Sequence, residues 1–176
     1  MKQQWQAFKA EITKNRHSTI TLVTFIAFSL APLFGGVFMF LMKDNGTEGL
    51  SGAFQAKATL LSFEANWNSY LGLLSQAVGV GGVLIFGFVI SWLFGREYSD
   101  GTAKDLLSLP ISRAKIINAK FIYYILWCIA LVISNLILGL LIGLVLHLPG
   151  WNAEIFVTNL IIYFVTTVLI ILLNTP

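Results

Sequence analysis

Four stretches of this chain, residues 19–42, 70–95, 121–148 and 155–173, contain no Asp, Glu, Lys or Arg. A hydrocarbon layer about 30 Å thick is crossed by about 20 apolar residues in a helix, so each stretch can span a bilayer. In lipid every backbone N–H and C=O must find its partner inside the protein, and a helix meets that demand within a single segment. A β-barrel would read instead as short segments of alternating polarity. The expected fold is therefore all-α: a polytopic membrane protein, one transmembrane domain over residues 1–176, with four transmembrane helices. Charge supports this, since only 11% of the residues are charged against roughly a quarter in a soluble domain.

The basic residues sort by connection. Lys2, Lys9, Lys14 and Arg16 precede the first span, and Arg96, Lys104, Arg113, Lys115 and Lys120 lie between the second and third. The remaining connections hold only Lys43 and Lys57, so nine cations of eleven lie on one side. By the positive-inside rule the N-terminus and the 96–120 loop are cytoplasmic and the 43–69 loop is extracellular. The net charge of +3 is thus a matter of topology, and no nucleic-acid partner is expected. Residues 1–17 read as an amphipathic helix: Met1, Trp5, Phe8 and Ile12 recur at helical spacing beside Lys2, Lys9 and Lys14. Such a helix suits the headgroup layer, with membrane lipids as its partners.

The 96–120 loop is the most organised polar segment. Ser99, Asp100 and Gly101 form a turn cluster, and Asp100 or Thr102 can cap a helix start. Ala103, Leu106 and Leu107 follow at helical spacing, and Pro110 ends the element because it lacks an N–H. Ser112 can then cap the third span. Glu97 lies at the C-terminal end of the second span, where the helix dipole disfavours a carboxylate. A specific pairing with Arg96, Arg113 or Lys120 is expected.

Glu97, Gly101-Thr102, Leu106-Leu107, Pro110, Ser112-Arg113 and Lys120, set between two spans, resemble the cytoplasmic loop of ABC exporter permeases of the type-2 membrane-domain class. Bacitracin-export and lantibiotic-immunity permeases belong to that class. The resemblance implies that the loop is a coupling helix touching a separate cytoplasmic ATP-binding-cassette ATPase. Glu97, Gly101, Thr102, Leu106, Leu107, Pro110 and Arg113 would be the coupling residues. It also implies a bacterial cytoplasmic membrane, a homodimer or a heterodimer with a second permease, and an N-terminal helix near the ATPase. The family usually has six spans, so this chain is expected to be truncated after the fourth.

Within the spans, Ser75, Gly79 and Gly82 form one small-residue stripe, and Asn135, Gly139 and Gly143 bring a second to the third span. Such stripes let helix backbones approach closely. Gln76, Asn135 and Asn159 are the deepest amides, and each is expected to face another helix or a cavity, because an unpartnered amide in lipid is unfavourable. Pro32 should kink the first span and free a carbonyl that a neighbour must satisfy. Trp67 and Tyr70 are expected in an outer aromatic belt, and Trp92, Tyr98, Tyr123, Tyr124 and Trp127 in an inner one.

The chain has no phosphate-binding GxxxxGK[ST] loop, no catalytic triad and no metal-ligand cluster, so no cofactor and no enzymatic activity are expected. The expected function is that of the membrane-spanning permease subunit of an ATP-driven exporter. Its ATPase would be a partner chain, and its substrate an amphipathic or hydrophobic peptide antibiotic, drug or lipid. The alternative is a non-transporting immunity, scaffold or assembly protein that binds a partner through the same loop.

Overall fold

A computed structural model describes residues 2–15, 18–45, 52, 64–99, 101 and 112–175. These form five helices: α1 (Lys2–Asn15), α2 (Thr19–Asn45), α3 (Trp67–Ser99), α4 (Arg113–Val145) and α5 (Ala153–Asn174). The last four are long and apolar enough to cross a membrane. Among the described residues there is no strand, and the chain is an all-α polytopic membrane protein. Its helices exceed the charge-free stretches: α3 starts at Trp67 and α4 at Arg113. The helical ladder continues through flanking polar residues that hydropathy alone does not count.

The four long helices run alternately up and down. α1, the end of α3 and the start of α4 lie at one end of the bundle, called proximal below, and the ends of α2 and α4 lie at the distal end with the starts of α3 and α5. α3 packs chiefly on α5, α2 chiefly on α4, and both α2 and α1 lie against this frame. Each span buries only a minority of its residues. Leu22, Ile26, Phe34 and Val37 of α2, and Leu160, Ile161, Phe164 and Leu172 of α5, stay exposed. An outward aliphatic surface is what a helix in lipid requires, because lipid tails are as apolar as leucine and burying such chains in protein gains little.

The core is held by size complementarity. Ser75, Gly79 and Gly82 face α5, where Thr166 and Ile170 fill the space. Gly139 receives Leu74 of α3. At Gly143 the neighbour is the Trp67 indole, and a Cβ there would sit 2.5 Å and 2.6 Å from its ring carbons. Trp67 is 3% exposed and edge-packed on Trp151, centroids 4.8 Å apart. Trp67 and Tyr70 thus lie inside the bundle, not in an aromatic belt. The glycines on α4 open a slot that an aromatic ring fills. Tyr124 and Trp127, expected at an inner belt, are likewise buried, while Tyr98 is exposed.

The distal end is capped on both sides of the α4–α5 turn. His147 adopts a left-handed φ of 47°, and Leu148 N–H and His147 N–H turn back onto the Gly143 and Leu144 carbonyls. This is the Schellman arrangement, with histidine where glycine is usual. Lys43 Nζ of α2 donates to the Leu146 and His147 carbonyls at 2.6 and 3.3 Å. A cation is thereby set at the negative end of the α4 dipole. Asn152 then caps α5 by accepting from the Glu154 N–H at 3.0 Å.

Gly143→Ala is expected to lower the thermal unfolding midpoint in detergent, by about the 1–3 kcal/mol that overpacking costs. Gly72→Ala, where an added Cβ meets nothing within 4 Å, should leave it unchanged.

Candidate functional site

Two polar assemblies interrupt the apolar bundle, one in its middle and one at its proximal end. The first follows from Pro32. Proline has no N–H, so the Phe28 carbonyl one turn earlier loses its helical partner. α2 nonetheless stays helical through Pro32. Asn135 Nδ2 of α4, fully buried, donates to the Phe28 carbonyl at 2.7 Å. Its Oδ1 accepts from the Tyr163 hydroxyl of α5. Tyr70 of α3 donates to the Pro32 carbonyl at 3.2 Å. Four spans therefore meet around one defect in one helix, and the freed carbonyl is satisfied by protein.

The second assembly is charged. Lys120 of α4 is 3% exposed. Its Nζ lies 2.9 Å from Glu97 Oε1 of α3 and 3.5 Å from Glu11 Oε1 of α1. It also donates to the Leu93 carbonyl of α3 at 3.0 Å. Lys14 of α1 approaches Glu97 at 3.6 Å. Arg96 donates through Nη1 to the Asn15 side-chain carbonyl, and its guanidinium lies 5.1 Å from the centre of the Trp92 ring. Glu97 Oε1 makes no well-aligned hydrogen bond, so its hold on the two ammonium groups is Coulombic attraction in a poorly solvated place. The attraction gains strength from low local dielectric, but each charge has also lost water. Removing one partner from such a group typically costs about 3–5 kcal/mol, because the others stay buried without compensation.

Toward the bundle centre from this cluster lies an aromatic layer between α3 and α4. Phe94 and Phe121 meet at 5.3 Å with their rings tilted by 51°, and Trp92 meets Trp127 edge-on at 5.8 Å. The same helix pair is thus closed by apolar rings on one level and by charges on the next.

Of the residues singled out by sequence, Glu97 is buried and its partners are Lys120, as expected, and Lys14, which was not anticipated. Gly101 is exposed with φ 68° in the turn after α3. Thr102, Leu106, Leu107 and Pro110, with the predicted coupling helix, lie outside the described residues, as does the side chain of Arg113. Ser112 stands at the α4 N-cap with extended backbone, but its side chain makes no capping bond. Asn135, Gly139 and Gly143 are brought to helix contacts, as are Ser75, Gly79 and Gly82. Asn159 reaches Asn68 of α3 at 3.4 Å. Gln76 departs from expectation: it is exposed on the outward side of α3 with Val80, Leu84 and Phe88. Once Ser75 and Gly79 are turned to α5, a residue about 100° round the helix must point away.

Glu11 and Asn15 were missed because the aromatic residues drew attention to the other side of α1. Trp5 is 66% exposed and Ile12 is exposed too, whereas Glu11 is 8% exposed and Asn15 fully buried. The available signal is Glu11 itself, the lone acidic residue ahead of the first span.

A bundle of apolar helices whose internal polar groups serve helix contacts defines a multi-pass membrane protein. Residues 7–176 match the family model described as ABC-2 family transporter protein, and the chain belongs to that family. It is also similar to the bacitracin transport permease protein BCRB of Bacillus licheniformis, at 30% identity over 95 residues. That alignment covers 54% of this chain and 46% of the relative, so less than half of the relative's length is matched. No solved structure matches.

Asn135→Leu is expected to destabilise the bundle more than Tyr163→Phe. The first strands both the Phe28 carbonyl and the Tyr163 hydroxyl, while the second removes one bond worth about 0.6–2 kcal/mol. Thermal unfolding of the two purified variants, read in one detergent, gives the comparison.

Proposed function

We propose that this chain is the permease subunit of an ATP-driven exporter, coupled to a separate cytoplasmic ATPase through the segment joining α3 to α4. One observation carries the reading: Glu97 and the Leu93 carbonyl, just before that segment, are held by Lys120, just after it. A segment whose two roots are clamped together cannot be displaced without displacing α3 and α4. Family membership supports it, since transporters of this kind work with an ATPase. The charge distribution supports a cytoplasmic N-terminus and loop. In this reading Leu106 and Leu107 bury themselves in a groove of the ATPase, a helix-in-groove contact, with Pro110 limiting the element on one side and Gly101-Thr102 on the other.

The substrate class is supported by the relative, a bacitracin transport permease. It is an amphipathic or hydrophobic molecule, peptide antibiotic, drug or lipid. Among the described residues no acidic or basic side chain stands in the middle of a span, where proton and ion pathways keep such groups. A pathway enclosed by two permease subunits, identical or paralogous, would be apolar and would place Gln76 at a protein surface instead of in lipid.

The replacement Leu106→Asp with Leu107→Asp is expected to abolish co-purification of the cognate ATPase while the permease still inserts and elutes as a folded species. Retention of the ATPase by that double variant would remove the loop from the interface. Orientation is checked by Lys104→Cys in a Cys128→Ser background. A membrane-impermeant maleimide should label it only after cells are opened, and labelling of intact cells would place the loop outside, beyond reach of a cytoplasmic ATPase.

A further inference from the structure

α1 is docked by its polar edge. Glu11 and Asn15 are buried against α3 and α4, while Trp5 and Ile12 point away. An open groove of about 540 Å³ remains between Trp5 and Phe8 on α1 and Ile122 and Leu126 on α4. Apolar packing therefore contributes little to the seating of this helix, and charge contributes much. The charged contacts are divided between two neighbours: Glu11 holds Lys120 of α4, whereas Lys14 and Asn15 hold Glu97 and Arg96 of α3. α1 consequently straddles the seam between the two helices from which the connecting segment emerges.

Lys120 links all three helices. Its single ammonium serves Glu11 on α1, Glu97 on α3 and the Leu93 carbonyl on α3. A lysine on a flexible four-carbon stem keeps one position when several partners fix it at once. If the proximal ends of α3 and α4 part, the two α3 partners leave together. The ammonium is then drawn toward water and away from Glu11, and Glu97 is carried away from Lys14. Seating of α1 and closure of the α3–α4 seam would thus be one event.

We propose that Lys120 is a positioning residue that makes α1 a strap across the α3–α4 seam, seated only while Glu97 and Lys120 remain paired. The meaning of this strap for transport rests on the coupling role proposed above, but the strap itself is a property of the chain alone. Its test therefore needs no ATPase. In a Cys128→Ser background, Gln4→Cys and Ile122→Cys place thiols on the two walls of the α1–α4 groove. The rate of cross-linking by a short bismaleimide, in the full chain in lipid nanodiscs, reports the seating of α1.

Glu97→Gln, on a third helix that carries neither thiol, is expected to slow cross-linking by about tenfold, as coupling within one ion-pair network allows. Lys120→Met should slow it at least as much, and Glu97→Gln added to Lys120→Met should bring less than the loss it causes alone, only the Lys14 contact being left for it to remove. Lys120→Arg, which keeps the charge, should recover most of the rate. Should Lys120→Met fail to yield folded protein, the near-isosteric Glu97→Gln decides the matter alone. An unchanged rate in Glu97→Gln would overturn the proposal, because α1 would then be seated independently of the seam. Additive losses in the double variant would overturn it too.

Discussion

A carbonyl deprived of its amide in the middle of a membrane span is a defect that water cannot repair, and the central packing of this bundle is arranged around one. Pro32 frees the Phe28 carbonyl, and Asn135 reaches across from α4 to take it. That commits Asn135 to full burial, which obliges its own Oδ1 to find a donor; Tyr163 of α5 supplies it. Each satisfied group fixes the rotation of the helix that carries it. With Asn135 turned toward α2, Gly139 and Gly143 one and two turns along α4 are turned toward α3. The slot they leave is then filled by Leu74 and Trp67.

The proximal cluster answers a different problem. Amides in mid-membrane need only hydrogen bonds, but Glu97 and Lys120 are charges at the root of a connection, largely removed from solvent. Replacing such a group with apolar side chains is often neutral or stabilising, so stability alone is a weak reason to keep it. What charges provide is conditionality. They hold when every partner is present and repel or rehydrate when one departs. An apolar contact of equal strength would weaken gradually as the helices slid, whereas a shared ammonium has a defined set of partners.

The bundle was legible in the sequence because the chemistry of lipid leaves so few choices. Long charge-free runs fix the helices, small-residue spacing marks contact faces, and a mid-span proline announces a carbonyl in search of a donor. That Glu97 needs a cation could be read too, since a carboxylate at a helix C-terminus calls for one nearby, but the sequence left Arg96, Arg113 and Lys120 equally open. What could not be read is which face meets which neighbour. Gln76 and Asn135 are both mid-span amides, yet one points outward and the other is fully buried. Trp67 and Tyr124 look like interfacial aromatics by position and are core residues by packing. The polar docking of α1 was hidden for a related reason. Amphipathicity says which face prefers an apolar surrounding, and here that surrounding is lipid, so the face turned to protein is the other one.

The lengths of the helices decide how a push at the connecting segment would be felt. Asn174 of α5 lies beside Gly87 of α3. Residues 88–99 of α3 continue roughly 18 Å past that level, at 1.5 Å per helical residue. Over this stretch α3 and α4 are joined by Phe94 on Phe121, Trp92 on Trp127 and the ion cluster, with α1 laid across. A lever of this length, rooted in a core pinned by the bonds from Asn135 to the Phe28 carbonyl and from Tyr163 to Asn135, turns a small displacement at its tip into rotation about the core. The strongest restraint on that rotation lies near the tip, where resistance per unit of contact energy is greatest. A clamp placed there by Glu97, Lys120 and Glu11 governs movement of the two helices more effectively than an equal contact near Pro32 could.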